Sequence, residues 1–275
     1  MKFLVYGLSL TLLITPVLSD NTLNIVAHPD DDLLFLNPTI LHDFNTGFTV
    51  RTVYLTSGDA GQPAPYWRSR QAGTLAAYAQ MAGVENVWDE SDMGVVEKDI
   101  PLYTLRDNNK VSVAFMRIPD GGLDGGGFLA TGEQSLEQLW KGEISGISTV
   151  DGSGVTYSKR ELVSVLTEII NGFAPDSLNS LDYLHDYGNG DHSDHTSAGL
   201  FANTAAIPSR YLGSVIAYQG YPIKYEDANV EGEDLARKKE VFYTYAGYDD
   251  LVCMSDVDCT GTEYEAWLTR LYTSN

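Results

Sequence analysis

Apolar and polar positions along the chain alternate between short β-type runs and longer helical ones, and the polar clusters sit where the β-type runs stop. The mostly apolar Leu23-Asn24-Ile25-Val26-Ala27 predicts a buried strand that ends directly at His28. Residues 33–41 are expected to begin a helix. The β-branched run over 49–56 predicts a second strand, closing in the turn residues Ser57-Gly58-Asp59-Ala60-Gly61. A helix is expected over 66–82, with Gly83 placed to stop it. Residues 111–118 predict another strand, followed by the glycine-rich stretch 120–127. That stretch has neither a G-x-G-x-x-G leading into a helix nor a Walker lysine, so it reads as a surface loop near the site, not a phosphate cradle. A helix is expected over 158–171, where Ser158 and Glu161 have capping-box spacing, and Pro175-Asp176 breaks it. A strand over 177–184 leads into a second histidine cluster, followed by a helix over 195–206, a strand over 215–218 and a late helix over 234–246. This order predicts an open α/β sheet with its site outside the carboxyl ends of the strands.

The first residues change the picture of where the protein works. An apolar run over 3–18 follows Lys2, contains Pro16, and ends in Val17-Leu18-Ser19, the small-residue pattern of a secretory signal cleaved near Ser19. The other reading is an anchoring helix, but the run is short for a bilayer and carries Ser9, Thr11 and Thr15. No later stretch reaches about 18 uninterrupted apolar residues, so the mature protein is expected to be soluble, without a stable membrane anchor. The two cysteines, Cys253 and Cys259, lie in one short segment and in an oxidising compartment would close a small loop. At 275 residues, with 43% hydrophobic and 20% charged content, the chain suits one large globular domain or a domain with a small appendage. A net charge of -21 argues against nucleic acid as a partner, since that binding relies on cationic neutralisation of phosphates.

Of five histidines, three fall in two acidic clusters, His28-Pro29-Asp30-Asp31 and His192-Ser193-Asp194-His195. Imidazole and carboxylate ligands suit a divalent transition metal, and a catalytic zinc site combines three protein ligands with an open position. His28, Asp31 and His195 supply such a set. Asp30, between two ligands, is then free to act as general base toward a metal-activated water. Attack on an amide carbonyl creates an oxyanion, for which His192 is the candidate donor, or the acid if protonated. Asp194 is expected to accept a hydrogen bond from His192 and raise its pKa. Arg70 is a candidate substrate-binding residue or a fastener of the active-site loop. His42 and His185 read as structural or surface residues. Each cluster alone would more often be a turn or a solvated acidic loop; two of them, each after a predicted strand, favour catalysis.

At these two clusters the sequence resembles the PIG-L/LmbE-like deacetylase family, over about residues 23–247. The resemblance implies a Rossmann-like α/β fold, a mostly parallel sheet with helices on both faces, and a single family domain over 20–275. It also implies one Zn2+ ion per chain, held by His28, Asp31 and His195, with Asp30 as base and His192 as transition-state stabiliser or acid. The implied reaction is hydrolysis of N-acetylglucosamine derivatives. Three positions depart from the family pattern: Asp32 stands where Glu is common, Ser193 where Pro is common, and Gln71 where the helix start has Glu. The signal segment is a further departure and points to an extracellular N-acetylated amino sugar or glycoconjugate. The competing expectations are a secreted carbohydrate-binding protein that retains the metal cleft, or a zinc hydrolase of another amide or ester. The 17 tyrosines and Trp67, Trp88, Trp140 and Trp267 offer aromatic surface on which sugar rings could stack.

Overall fold

A computed structural model describes residues 20–274, so the signal segment expected over 1–19 lies outside the described residues. The first half runs β1 (Asn21–Val26), a π-helical turn (Asp32–Leu36), α1 (Thr39–Thr46), β2 (Thr49–Thr56), α2 (Ala64–Ala82), β3 (Trp88–Asp92), β4 (Pro101–Leu105) and β5 (Val111–Ile118). There follow α3 (Leu136–Lys141), the two short strands β6 (Ile147–Ser148) and β7 (Thr156–Tyr157), α4 (Lys159–Phe173), β8 (Ser177–Leu181), α5 (Ser193–Ala206) and β9 (Ile216–Tyr218). The chain ends with α6 (Gly232–Ala246), α7 (Asp256–Cys259) and α8 (Glu263–Leu268).

Seven strands form the central sheet in the order β3-β4-β5-β2-β1-β8-β9. The five from β5 to β9 are mutually parallel, and β3 and β4 add an antiparallel edge. This is the Rossmann-like, mostly parallel α/β sheet that was expected, flanked by helices in two groups: α1, α2 and α6 contact one another, as do α3, α4 and α5. From β1 the chain builds outward through β2 to β5 on one side and later through β8 to β9 on the other. The order therefore reverses between β1 and β8, the crevice where open α/β sheets place their ligands. Both histidine clusters follow these two strands.

Several elements differ from the sequence expectation for local reasons. The helix expected from residue 33 is split, because Pro38 has no N–H to donate: a wholly buried π-helical turn precedes it and α1 follows. The strand expected to reach 184 ends at Leu181, where the Asp182 carboxylate accepts the N–H of Leu184 and turns the chain. The β3–β4 edge was not expected; β3 is Trp-Asp-Glu-Ser-Asp, mostly exposed and without the apolar alternation that marks a strand. The capping box at Ser158 and Glu161, and the left-handed stop at Gly83, are as expected. Cys253 and Cys259 are disulfide-bonded, closing a small loop beside the sheet's carboxyl end. No helix among the described residues is long and apolar enough to cross a membrane.

A line of polar side chains crosses the apolar interior. Asn179 on β8 donates to Asn24 on β1, Asn24 donates to Thr52 on β2, and Thr52 meets the Tyr78 hydroxyl on α2, which donates to Asp32 at 2.7 Å. It ties three neighbouring strands and α2 to the π-helical turn that follows the first cluster.

Lys238 on α6 is fully buried, and its ammonium group donates to the carbonyls of Trp267 and Arg270 at 3.0 and 2.7 Å. Burial pulls its pKa down to about 7 from 10.5. The folded state thus releases this proton before the unfolded chain does, so the contribution of Lys238 to stability is full above about 10.5 and is lost as pH falls toward 7. In urea unfolding at pH 7 and pH 9.5, wild type should gain stability over Lys238→Met as pH rises; a difference independent of pH would show that Lys238 titrates as it does in water.

Candidate metal centre

Just past the end of β1 the chain folds into a tight turn: the His28 N–H donates to the Asp31 carboxylate at 2.6 Å and the Asp31 N–H returns to the His28 carbonyl. Asp30 sits between them with φ 123, a backbone conformation costly for a residue with a Cβ. The turn faces His28 and Asp31 toward each other, with Nδ1 3.4 Å from Oδ1. After β8 the loop runs to His192, which caps α5 through its ring: Nδ1 accepts the Asp194 N–H at 3.1 Å. His195, in the first turn of α5, brings Nε2 to 3.0 Å from Asp31 Oδ1.

His28, Asp31 and His195 therefore meet, each buried, with one ligand atom apiece within 4.8 Å of the others. The two histidines are oriented from behind. Asp191 lies 2.7 Å from His195 Nδ1 and orients the ring, while the buried Nε2 faces Asp31 Oδ1 at 3.0 Å without a well-formed hydrogen bond. Asp194 lies 3.3 Å from His28 Nε2, on the ring edge away from Asp31. Two imidazoles and a carboxylate so arranged form a donor set that fits zinc.

The expected pairing of Asp194 with His192 is corrected by the geometry. The Asp194 carboxylate faces His28 and accepts the Gly121 N–H at 2.7 Å, while it stands 3.9 Å from His192 Nδ1, which is engaged by the Asp194 backbone instead. His192 consequently presents Nε2–H, and its pKa is not raised: burial, with His28 beside it, pushes it down to about 4. Asp30 moves the other way. Burial pushes its carboxyl up to about 7 despite the neighbouring Arg70.

Arg70, expected either to hold substrate or to fasten the loop, lines the pocket and makes contacts of the loop-fastening kind. Its Nη2 donates to the Pro29 carbonyl and to Asp30 Oδ1 at 2.7 and 2.9 Å, its Nη1 to the Gly58 carbonyl, and its Nε to the Tyr245 hydroxyl, with Asp249 Oδ2 at 2.9 Å. The approach to Gly58 is so close that a Cβ there would lie 2.2 Å from Nη1, and φ at Gly58 is +57. His42 and His185 lie elsewhere, paired with Asp234 and Asp182.

Four contributors were not singled out in the sequence. Asp120, two residues past β5, brings its carboxylate to 3.6 Å from His192 Nε2 and 3.9 Å from His28 Nε2. Its position at a strand's carboxyl end was the available signal. Asp191 adjoins the second cluster and was legible as a neighbour, though not as the partner of His195. Asp249 and Tyr245 left no local signal. His28, Asp30, Arg70, Asp120, His192 and Asp249 line a pocket of about 210 Å3, also bordered by Tyr66, Tyr221 and Leu123 of the glycine-rich loop. That loop is stitched to the start of α5 by the Ser193 hydroxyl donating to the Gly122 carbonyl.

The family model described as PIG-L: GlcNAc-PI de-N-acetylase matches residues 23–206, which include both clusters. No curated protein matches by sequence. Among solved structures, 4-carboxy-2-hydroxymuconate hydratase GalB from Pseudomonas putida KT2440 is 14% identical with a TM-score of 0.49, covering 90% of this chain and 82% of that one. N,N'-diacetylchitobiose deacetylase from Pyrococcus horikoshii is 16% identical with a TM-score of 0.48, covering 90% and 75%. Teicoplanin deacetylase Orf2 is 16% identical with a TM-score of 0.45, covering 82% and 84%.

Removing a carboxylate that orients a metal-binding histidine typically weakens metal affinity about 10- to 100-fold. Asp191→Asn should lower zinc affinity by that order in competition with a chelating dye. Zinc held as tightly by Asp191→Asn as by wild type would mean that His195 is not a ligand.

Proposed function

This chain belongs to the PIG-L family of GlcNAc-PI de-N-acetylases, and on that premise we propose that it is a zinc-dependent hydrolase that removes the acetyl group from an N-acetylated amino sugar. The observation that carries the reading is the convergence of buried His28, Asp31 and His195, with a second carboxylate, Asp30, held beside them by Arg70. His28, Asp31 and His195 would hold the ion. When bound, zinc supplies Lewis acidity toward an acyl oxygen and lowers the pKa of water.

The protein's own groups account for the proton movements. A base works best when its pKa lies near the working pH, and burial brings Asp30 to about 7. Asp30 takes the proton of the attacking water, and Arg70 fixes the carboxylate while it does so. His192 stays neutral near neutral pH because burial lowers its basicity, and its Nε2–H is the donor that meets the negative charge developing on the acyl oxygen. The Asp194 N–H, donating to Nδ1, keeps that ring oriented. Asp30 then gives the proton it took from water to the amine nitrogen as the C–N bond breaks, so that acetate and the free amine leave together.

A secreted location belongs to the same proposal. The apolar run over 3–18 has the pattern of an export signal, and a bridged cysteine pair suits an oxidising compartment. The substrate is then an extracellular amino sugar or conjugate.

The test is acetate release from N-acetylglucosamine and its oligomers by metal-stripped and zinc-restored protein, with Asp30→Asn as control. Zinc should restore release, and the substitution should lower it by about 10²- to 10⁴-fold, the usual contribution of a positioned base. Protein that binds zinc yet releases no acetate, while cleaving other amides or esters, would assign the site to a different substrate.

A further inference from the structure

Past residue 206, where the family match ends, the chain makes β9 and then comes up against the metal centre at Gly220 and Tyr221. Gly220 approaches two site residues so closely that a Cβ there would stand 2.4 Å from Asp191 Oδ1, 2.5 Å from His195 Nδ1 and 2.7 Å from Asp191 Oδ2. These atoms make up the contact that orients His195. A side chain on a flexible arm could step aside from an added methyl group, but these two are buried and already engaged. Asp191 Oδ1 accepts the N–H groups of His192 and Tyr221, each at 2.9 Å, and His195 faces Asp31 through its other nitrogen.

Tyr221 acts on the same contact in two ways. Its backbone N–H is one of the donors to Asp191 Oδ1, and its ring packs edge-on against the His195 imidazole, with centroids 4.9 Å apart. The residue is itself held. Its ring stacks on Trp267 at 4.6 Å, and Trp267 Nε1–H donates to the Tyr221 carbonyl at 3.2 Å. Trp267 in turn is tied to α6, since its own carbonyl accepts from the buried Lys238 ammonium group.

A histidine binds a metal well when its ring is aimed before the ion arrives, because a ring free to turn must be ordered at the moment of binding. The carboxylate behind the ring can aim it only if that carboxylate is immobile. Asp191 belongs to the loop between β8 and α5, so neither a strand nor a helix fixes it. We propose that Gly220 and Tyr221 are positioning residues for the metal centre, a backbone clamp that holds Asp191 against His195 and so sets how tightly the ion is retained. The inference rests on the reading of His195 as a ligand, and it places a determinant of metal retention outside the segment that the family shares.

The experiment measures zinc affinity against a chelating dye in wild type, Gly220→Ala, Tyr221→Ala, Tyr221→Phe, Asp191→Asn and the Gly220→Ala/Asp191→Asn double variant. Gly220→Ala should weaken zinc binding by about 10- to 100-fold, the usual effect of disturbing the group behind a metal-binding histidine. Tyr221→Ala should weaken it severalfold, and Tyr221→Phe, which keeps both the N–H and the ring, should hold zinc as wild type does. Gly220 and Asp191 act on one contact, so the double variant should lose less than the product of the two separate losses. Losses that multiply, or a Gly220→Ala protein that binds zinc as tightly as wild type, overturn the proposal. If Gly220→Ala does not fold, Tyr221→Ala decides, and an unchanged affinity there is equally fatal. The NMR resonance of the His195 Nδ1 proton in metal-free protein separates this inference from the reading it rests on. In wild type it should lie downfield and exchange slowly, and Gly220→Ala should shift or lose it; the same resonance in both removes the clamp. Wild type that shows this difference yet binds no zinc would uphold the clamp and remove the ligand reading.

Discussion

The guanidinium of Arg70 lies between two buried carboxylates, Asp30 and Asp249, and through them it joins parts of the chain that otherwise only approach one another. Its donors reach the Pro29 carbonyl after β1, the Gly58 carbonyl after β2 and the Tyr245 hydroxyl on α6. A buried charge is tolerated only when it is paired and its hydrogen-bonding directions are filled, because desolvation costs several kcal/mol per ion. Here both conditions are met by groups that the site needs in fixed places. The strained backbone at Asp30 survives because its carboxylate is held from one side by Arg70 and the flanking residues are locked by the His28–Asp31 turn. Tyr245 and Asp249 also make the position of α6 a condition for the geometry of a loop more than 200 residues earlier in the chain.

Around this cation the site gathers Asp30, Asp31, Asp120, Asp191 and Asp194, all buried, against three histidines. Carboxylates at such density repel one another, and the structure distributes the cost in different ways. Asp191 and Asp194 face imidazole nitrogens, and Asp194 and Asp120 also use backbone N–H groups or supply them to neighbours. Asp31 is drawn well below the usual carboxylate range: burial opposes this, but His195 and His28 on either side outweigh it. Asp30 has the weakest compensation, since Asp31 and Asp249 oppose what Arg70 gives, and it is the carboxyl whose pKa rises to about 7. One residue inclined to ionise fully and its neighbour inclined to hold a proton is the division between a ligand and a base. That division follows from which cation stands nearest to each.

The sequence carried the parts of this arrangement that are local. A hydrophobic strand that stops at a histidine, the Asp pair after it, the capping box on α4 and the cysteine spacing are all written within a few residues, and each stands in the structure where the pattern put it. The residues that remained illegible act across the fold. Asp249 is one acid among many in an acidic chain, and only the return of α6 against α2 brings it to Arg70. Asp194 looked like a partner for the histidine two residues before it; a helix begins there, its first turn draws the backbone N–H onto that ring, and the carboxylate is left to face His28. The exposed β3 lacked alternation because one of its faces is covered by little, and hydrophobic pattern reports burial, not hydrogen bonding.

The two halves of the site accordingly have different origins in the chain. Both clusters and Arg70 lie within residues 23–206, the part that the family shares, and they stand at the switch between β1 and β8, where the topology itself creates a crevice. Beyond residue 206 the chain makes one further sheet strand and then wraps its helices over the mouth. That segment supplies Tyr221, whose ring stacks on Trp267 and meets His195 edge-on, and Tyr264, which borders the pocket. It also supplies Asp249, whose two oxygens serve the base through Arg70 and the outer wall of the pocket through Tyr66 and Leu251. A substitution that moves Asp249 therefore acts on the base as well as on the outer wall. Binding surface and reacting groups are coupled through one buried side chain, which lets the outer segment change what is recognised while the metal-binding turn keeps its geometry.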